Sequence, residues 1–447
     1  LGSIIPNSVT FICSFKACSS IGATNKGREI HAEVARRGLL EKDVRIGSSL
    51  LDMYVKGGFL SEAQEVFDRL PIKNIYTWNT LIAGYAEHGY GEKALRCYER
   101  MRSKNVYPDA ITFSCSLKAC GNVKAIDKGI EIHAEVEKNG LLRKDLVIGS
   151  GLIDMYAKCG FLAKAREVFE NLPSQDVVTW TTLILGYAEH GYGEEALNSF
   201  NRMQVEGICP NAVTFLCCLR ACGSIGAVRK GLETHAVISR QEWLKRDLAS
   251  GGTLVAMYAK CGLLPQAREV FEKLTVRDVI SWNSLMAGYA QLGESENVFL
   301  LFEKMIGEGT VPNIITYVIL LNVCNHRGLV DKGQIFFEGM SKDYGIVPSL
   351  EHYACIIDLF GRAGQLERAI EMIRNMSESP DLAVWLTLLG ACRKWGAVNL
   401  GKQVFEHAMQ LDEKHPSAYI CMTNIFADAG MEEDAKNIEA MRLQKAS

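Results

Sequence analysis

Proline is scarce in this chain, 10 residues in 447, against 40 glycines. With 48% hydrophobic residues beside it, that scarcity excludes a disordered chain, which would be poorer in apolar residues and richer in proline. No apolar stretch reaches the roughly 18–20 residues that a membrane-spanning helix needs. Charge of one sign is not in excess: 49 Lys and Arg against 52 Asp and Glu leave −3. A globally basic nucleic-acid binder is therefore excluded, while a local basic stripe is not. C-x-x-C is absent, and the 15 cysteines are an odd number lying mostly in apolar runs such as Ser14-Phe15-Lys16-Ala17-Cys18. That argues against a secreted disulfide framework and for reduced thiols packed in a core. The sequence opens on Leu1 without an Arg-rich or apolar leader. A removed targeting segment or a fragment is expected, so the compartment is not directly readable.

What is present is repetition. Cys18, Cys120, Cys222 and Cys324 stand 102 residues apart, and His31, His133 and His235 keep that interval. So do Tyr54, Tyr156 and Tyr258, and Trp78, Trp180 and Trp282. A period of 102 is too long for one supersecondary unit. Turn signals divide it into units of 36, 31 and 35 residues, first at 8–43, 44–74 and 75–109. Two more triplets fill 110–211 and 212–313, followed by units at 314–349 and 350–381. The expected organisation is a remnant at 1–7, eleven repeats over 8–381 and two degenerate units over 382–447.

Each unit reads as two helices. Leu60, Ala63, Val66 and Phe67 form one helical stripe, and Leu50, Leu51, Met53 and Tyr54 form its partner. Gly57-Gly58 stops the first helix and Leu70-Pro71 closes the second. Strand signals are short and always open a helical pattern. The expected fold is all-α, an α-solenoid of stacked helix-turn-helix repeats forming a superhelix, about 26 helices in thirteen pairs.

Units stacked at constant rise can read a single strand one base at a time, given one or two polar side chains per unit. Two places qualify. The fifth residue of the 31- and 35-residue units is Ser48, Asn79, Ser150, Thr181, Gly252 and Asn283. The last residue is Asn74, Asp109, Asp176, Asn211, Asp278 and Asn313. The competing reading has the fifth residues capping helices and the last ones forming turns. Second places are mostly aliphatic (Val9, Ile111, Val147, Val178, Val213, Ile280, Ile315), with Arg45, Tyr76 and Glu351 departing. Lys56, Lys158, Lys260 and Arg362 recur at 102-residue steps and are expected to contact phosphate, or to complement a helix dipole. Glu87, Glu189 and Gln291 interrupt that stripe in the 35-residue units.

The string VTWTTLILGYAEHGYGEEALNSFNRMQVEGICPN at 178–211 resembles the pentatricopeptide repeat. VIGSGLIDMYAKCGFLAKAREVF at 147–169 is similar to the family's short variant, and AVTFLCCLRACGSIGAVRKGLETH at 212–235 to its long one. Their alternation resembles the plant organellar subclass, and LAVWLTLLGACRKWGAVNLG at 382–401 resembles its extension motifs. A tetratricopeptide array is disfavoured by the missing W-x2-L-G pattern and by the alternating lengths. The resemblance implies a right-handed superhelix, single-stranded RNA as partner and an organellar location, mitochondrion or chloroplast. Fifth and last residues become the two specificity positions. Ser48 with Asn74 then implies A, Asn79 with Asp109 U, Ser150 with Asp176 G, and Thr181 with Asn211 A. Asn283 with Asn313 implies C, with U second, while Gly252 with Asp278 stays unassigned. The 36-residue units carry Ile12, Ser114, Leu216 and Val318 at the fifth place, so little readout is expected there. The implied site is 5′-A-U-n-G-A-n-n-C/U-3′.

No catalytic or metal centre and no cofactor are expected. His31-Ala32-Glu33 and His133-Ala134-Glu135 look like the H-x-E of zinc deaminases, but the third copy is His235-Ala236-Val237 and no C-x-x-C accompanies them. A repeated helix-face residue that loses its acid reads as scaffold. The resembled subclass commonly specifies C-to-U editing sites, so a deaminase would come from a missing C-terminal domain or from a partner in trans, through 382–447. RNA protection by occupancy and a protein-binding solenoid are the alternatives.

Overall fold

The apolar stripes, glycine stops and polar N-terminal residues of each unit produce helix pairs throughout. The computed structural model describes residues 6–40, 42–143, 145–240, 248–376 and 379–446, among which every regular element is an α-helix. Most of the expected remnant at 1–7 lies outside them. The chain divides into two compact units, residues 1–225 and 226–447.

The first unit holds α1 (Ser8–Ile21), α2 (Thr24–Arg36), α3 (Val44–Lys56), α4 (Leu60–Arg69), α5 (Ile75–Glu87), α6 (Gly91–Ser103) and α7 (Ala110–Val123). It continues with α8 (Ile126–Lys138), α9 (Leu146–Lys158), α10 (Leu162–Glu170), α11 (Val177–Glu189), α12 (Gly193–Val205) and α13 (Ala212–Ile225). The second unit holds α14 (Val228–Arg240), α15 (Leu248–Lys260), α16 (Leu264–Lys273), α17 (Val279–Gln291), α18 (Ser295–Gly307), α19 (Ile314–Arg327) and α20 (Val330–Tyr344). It ends with α21 (Leu350–Arg362), α22 (Leu366–Arg374), α23 (Leu382–Lys394), α24 (Val398–Leu411), α25 (Pro416–Asp428) and α26 (Glu432–Ala446).

Odd-numbered helices are the first of their pair. Within each unit a first helix packs on its own second helix and on the next first helix. The second helix also packs on the next first helix, so each unit is a solenoid in which neighbours bury one another. Consecutive first helices thereby share one face, and that face positions the candidate site.

Three recurring contacts hold the stack. Trp78, Trp180 and Trp282 are 1%, 0% and 1% exposed, so the three copies occupy equivalent buried places. Each meets a Phe of the preceding second helix edge-on, Phe67, Phe169 or Phe271, at 4.6, 4.5 and 4.7 Å between ring centres. Glycine permits the closest helix approach: a Cβ at Gly186 would lie 2.7 Å from the Ala157 Cβ, and one at Gly84 would lie 2.6 Å from Val55 Cγ1. Gly58, Gly160 and Gly262 turn the chain between paired helices at φ +77°, +84° and +75°.

The third contact accounts for the H-x-E strings. His31, His133 and His235 set Nδ1 against the hydroxyls of Tyr54, Tyr156 and Tyr258 at 2.9, 2.9 and 2.7 Å. These pairs tie α2 to α3, α8 to α9 and α14 to α15, and no metal-competent group of His, Cys, Asp or Glu occurs among the described residues. Burial pushes the Cys97 and Cys324 thiols up to about 11 and Cys120 to about 12, which keeps them protonated packing groups.

Burial also lowers the pKa of His31, His133 and His235 from the ordinary 6.5. The unfolded chain then binds more protons than the folded one below that value, so these groups cost stability as pH falls. The melting temperature is expected to drop between pH 7 and pH 5. Replacing all three by Phe should flatten that slope while lowering the midpoint at pH 7; thermal denaturation at a series of pH values checks it.

Candidate nucleic-acid interface

The last residue of a unit caps the first helix of the next. Asn74, Asp109, Asn211, Asp278 and Asn313 each accept from the backbone N–H three residues on, at Thr77, Thr112, Thr214, Ser281 and Thr316, over 2.8–3.1 Å. Asp176 accepts from both Val178 and Thr179, at 3.1 and 2.9 Å. Capping explains why small polar residues stand at these places. The fifth residues do not cap; they sit one turn inside the helix.

Stacking brings the two places together across 30 residues. Asn79 Nδ2 donates to Asp109 Oδ1 at 2.9 Å, and Asn283 Nδ2 donates to Asn313 Oδ1 at 2.9 Å. The hydroxyl of Thr112 completes the first network by donating to Asn79 Oδ1 at 2.6 Å, and Thr316 does the same to Asn283 at 2.8 Å. In the middle triplet Thr181 meets the Thr214 hydroxyl at 2.7 Å, and Thr214 reaches Asn211 at 3.0 Å. A Cβ at Gly252 would lie 3.6 Å from Asp278 Oδ1, so the unassigned pair is also adjacent. The short units differ: Ser48 and Ser150 turn their hydroxyls onto Val44 and Val147 carbonyls of their own helices. Among the described residues no hydrogen bond joins Ser48 to Asn74 or Ser150 to Asp176.

Burial alone would raise the Asp109 carboxyl; hydrogen bonds from the Thr112 N–H and the Asn79 amide oppose it, and the group is held below the ordinary range. Asp109 is thus an anionic acceptor beside a fixed amide. The third-place threonines beside the caps, of which Thr112, Thr214 and Thr316 also bridge the pairs, are the residues the sequence reading passed over. Thr77, Thr112, Thr179, Thr214 and Thr316 are fully buried at the third place of their units, a recurrence the 102-residue register displays.

Second-place side chains are exposed, not packed. Val9, Ile111, Val147, Val178, Val213, Ile280 and Ile315 are 52–62% exposed, as is Tyr76 at 53%. Helix-start packing is therefore not their role. At the third triplet these elements frame a cavity of about 270 Å³, lined by Ile280, Ile315, Asn283, Asn313, Lys260 and Gln291. Two apolar side chains, a pair of amides and a cation are what a flat, hydrogen-bonding, phosphate-bearing ligand requires.

The recurrent cations are not equal. Lys56 pairs with Asp52 at 2.9 Å, Lys158 with Asp154 at 2.7 Å and Arg362 with Asp358 at 2.9 Å. Lys260 has Ala256 in place of the acid and makes no ion pair among the described residues. An acid one turn away cancels much of the local field. Replacing Lys260 by Ala is therefore expected to weaken RNA binding more than the same change at Lys56 or Lys158. The triple change should weaken all sequences alike and make the salt dependence shallower. Filter binding at several salt concentrations tests this; three equal single effects would contradict the ion-pair argument.

The fold and site define an α-solenoid of paired helices, with polar pairs at the 35-residue repeats on the shared face of the first helices. Sequence patterns of the PPR repeat family match residues 73–122, 175–224 and 277–326, and those of the PPR repeat match 48–75, 150–177, 252–279 and 351–380. The chain belongs to the pentatricopeptide repeat family. It is 36% identical over 439 residues to a pentatricopeptide repeat-containing protein of Arabidopsis thaliana, covering 97% of this chain and 53% of that protein. A mitochondrial relative from the same plant is 37% identical, with 96% and 76% covered, and a chloroplastic one 36% identical, with 98% and 50% covered. The chain thus spans about half the length of two of these relatives. The crystal structure of the maize pentatricopeptide repeat protein PPR10 aligns over 99% of this chain and 75% of that one, with TM-score 0.53 and 18% identity. PPR10 in complex with an 18-nt psaJ RNA element aligns with TM-score 0.55 and 17% identity.

Proposed function

We propose that this chain binds single-stranded RNA sequence-specifically, one nucleotide per repeat. Base edges meet the fifth and last residues, from Ser48 with Asn74 to Asn283 with Asn313, while the exposed second-place side chains flank each base. The observation that carries this is the cavity between Ile280 and Ile315, with the Asn283–Asn313 amide pair and Lys260 around it. Membership of the pentatricopeptide repeat family, and fold likeness to a member crystallised with RNA, support the same reading.

The finer reading is site recognition for C-to-U editing of organellar transcripts, with 382–447 acting as extension motifs that contact a deaminase. That deaminase is supplied by further chain or by a partner in trans. Relatives named mitochondrial and chloroplastic support an organelle as the compartment. The test is crosslinked recovery of bound transcripts from organelle extracts. Enrichment of sites matching 5′-A-U-n-G-A-n-n-C/U-3′, with an edited cytidine a few nucleotides downstream, is the expected result. Matching sites without an edited cytidine would leave an RNA-protecting factor, and no RNA enrichment would overturn the binding itself.

A further inference from the structure

One cavity meets the fifth-place register only at Ala354 and Leu386, whose side chains carry no hydrogen-bonding group. It has a volume of about 480 Å³ and opens between α19, α21 and α23, lined among others by Asn322, Asn325, Asp358, Arg362 and Lys394. That volume is in the range of small-ligand pockets. Its two amides are singular to this place in the chain. Where α19 carries Asn322 and Asn325, the equivalent residues of the three earlier 36-residue units are Lys16, Lys118 and Arg220, and Ser19, Gly121 and Gly223.

The hydrogen bonds fix which way each amide faces. Asn325 Nδ2 donates to Asp358 Oδ2 at 2.7 Å, and a carboxylate only accepts, so Asn325 Oδ1 is left over. Asn325 is 8% exposed and that oxygen has no partner within the chain. Arg362 Nε donates to the same Asp358 Oδ2 at 2.9 Å, which leaves Asp358 Oδ1 uncommitted. The Cys355 thiol donates to Asn322 Oδ1 at 3.1 Å, which leaves the exposed Asn322 amide nitrogen as a donor. The wall thus offers one donor and two acceptors. Two cations lie exposed at the rim: Arg362, paired with Asp358, and Lys394, whose ammonium donates to the Arg362 carbonyl at 2.9 Å.

The Watson–Crick edge of guanine presents O6, N1–H and the 2-amino group, an acceptor followed by two donors. Uracil ends on a second acceptor, which the Asp358 carboxylate repels. Cytosine and adenine each present a single donor on that edge, which leaves one of the two wall acceptors unpaired. We propose that this cavity takes a guanine base of a bound single-stranded RNA, through Asn322, Asn325 and Asp358, with its phosphate at Arg362 and Lys394. Asn325 Oδ1 is shielded from water in the unliganded cavity, so a base donor gains it without displacing hydration; Asn325 and Asp358 shift together to bring it to the base edge, which keeps the bond that sets the amide's orientation. A strand, not a free nucleotide, is favoured by position: Ile319, one turn earlier on α19, lines the Asn283–Asn313 cavity, so the two sites share a helix face. The inference rests on the RNA-binding reading above.

The test is selection from a random single-stranded RNA pool by the full chain, by Asn325→Gly and by Asp358→Ala. Both substitutions install a residue found at the equivalent place of other repeats, Gly121 and Ala256. Wild type should enrich guanine, roughly tenfold over the other bases, at one position beyond the base assigned to Asn283 and Asn313. Both variants, at unchanged helix content by circular dichroism, should lose that preference alone. Guanine preference that persists in both variants, or no guanine position in the wild type, overturns the proposal and leaves the RNA reading standing. Failure of wild type to select any RNA overturns both. Binding of free guanosine monophosphate, abolished by both variants without any guanine position in the selected RNA, would make this a nucleotide site and overturn its assignment to a strand.

Discussion

Asn79→Thr, with Asp109 kept, is expected to move one base preference from U toward G by about tenfold, since a good base contact discriminates by roughly 1–3 kcal/mol. The chain itself shows that Thr fits there. Thr181 occupies the equivalent place, is 8% exposed, and satisfies its hydroxyl on the Val177 carbonyl at 2.6 Å and on Thr214 at 2.7 Å. The substitution therefore removes the amide held at Asp109 without opening the helix stack. Asp109 stays a capping acceptor, because its bond to the Thr112 N–H at 2.8 Å does not involve Asn79. Only the group beside it changes, from an amide to a hydroxyl. Preferences assigned to Ser48 and Ser150 should not move. Relative affinities for four RNAs differing at that nucleotide decide the matter. Equal weakening on all four would mean that Asn79 serves the Thr112 network and reads nothing.

Trp180→Ala should cost about 3–5 kcal/mol, the range for emptying a fully buried aromatic site. The ring is 0% exposed, meets Phe169 edge-on at 4.5 Å, and lies under the Arg202 guanidinium at 5.2 Å from the ring centre. Repeats in a solenoid lean mainly on their neighbours, so the loss should stay local. Hydrogen exchange should lose protection first in α9 to α12, while α1 to α4 keep theirs. Uniform loss along α1 to α12 would mean that this array folds as one cooperative block.

The helix pairs were legible because their causes are local. Stripe residues such as Leu60, Ala63, Val66 and Phe67 are all buried in α4, as their spacing of three and four requires. Gly58 and its counterparts mark the turn because a left-handed backbone is costly for any other residue. The equivalence of Trp78, Trp180 and Trp282 followed from the 102-residue interval, since similar strings pack alike against similar neighbours.

The candidate site was legible by place and not by bonding. Two polar places per unit stood out in the register, yet which atoms meet depends on contacts 30 or more residues apart. Sequence distance does not say that Thr112 bridges Asn79 to Asp109, nor that Ser48 turns away onto Val44. The cations illustrate the same limit in reverse. Asp52 before Lys56 and Ala256 before Lys260 are visible at helical spacing, but only folded geometry turns that difference into an ion pair on one and a free charge on the other.

Local sequence by itself determined the helix pairs and the buried stripes, because each is fixed within a few turns of its own chain. Tertiary structure alone decided the exposure of the second-place side chains, the amide pair between Ile280 and Ile315, and the unpartnered oxygen of Asn325 beside Asp358. Those properties belong to the space between neighbouring first helices, and that space exists only once Val55 against Gly84, and Ala157 against Gly186, have set how closely the helices stack.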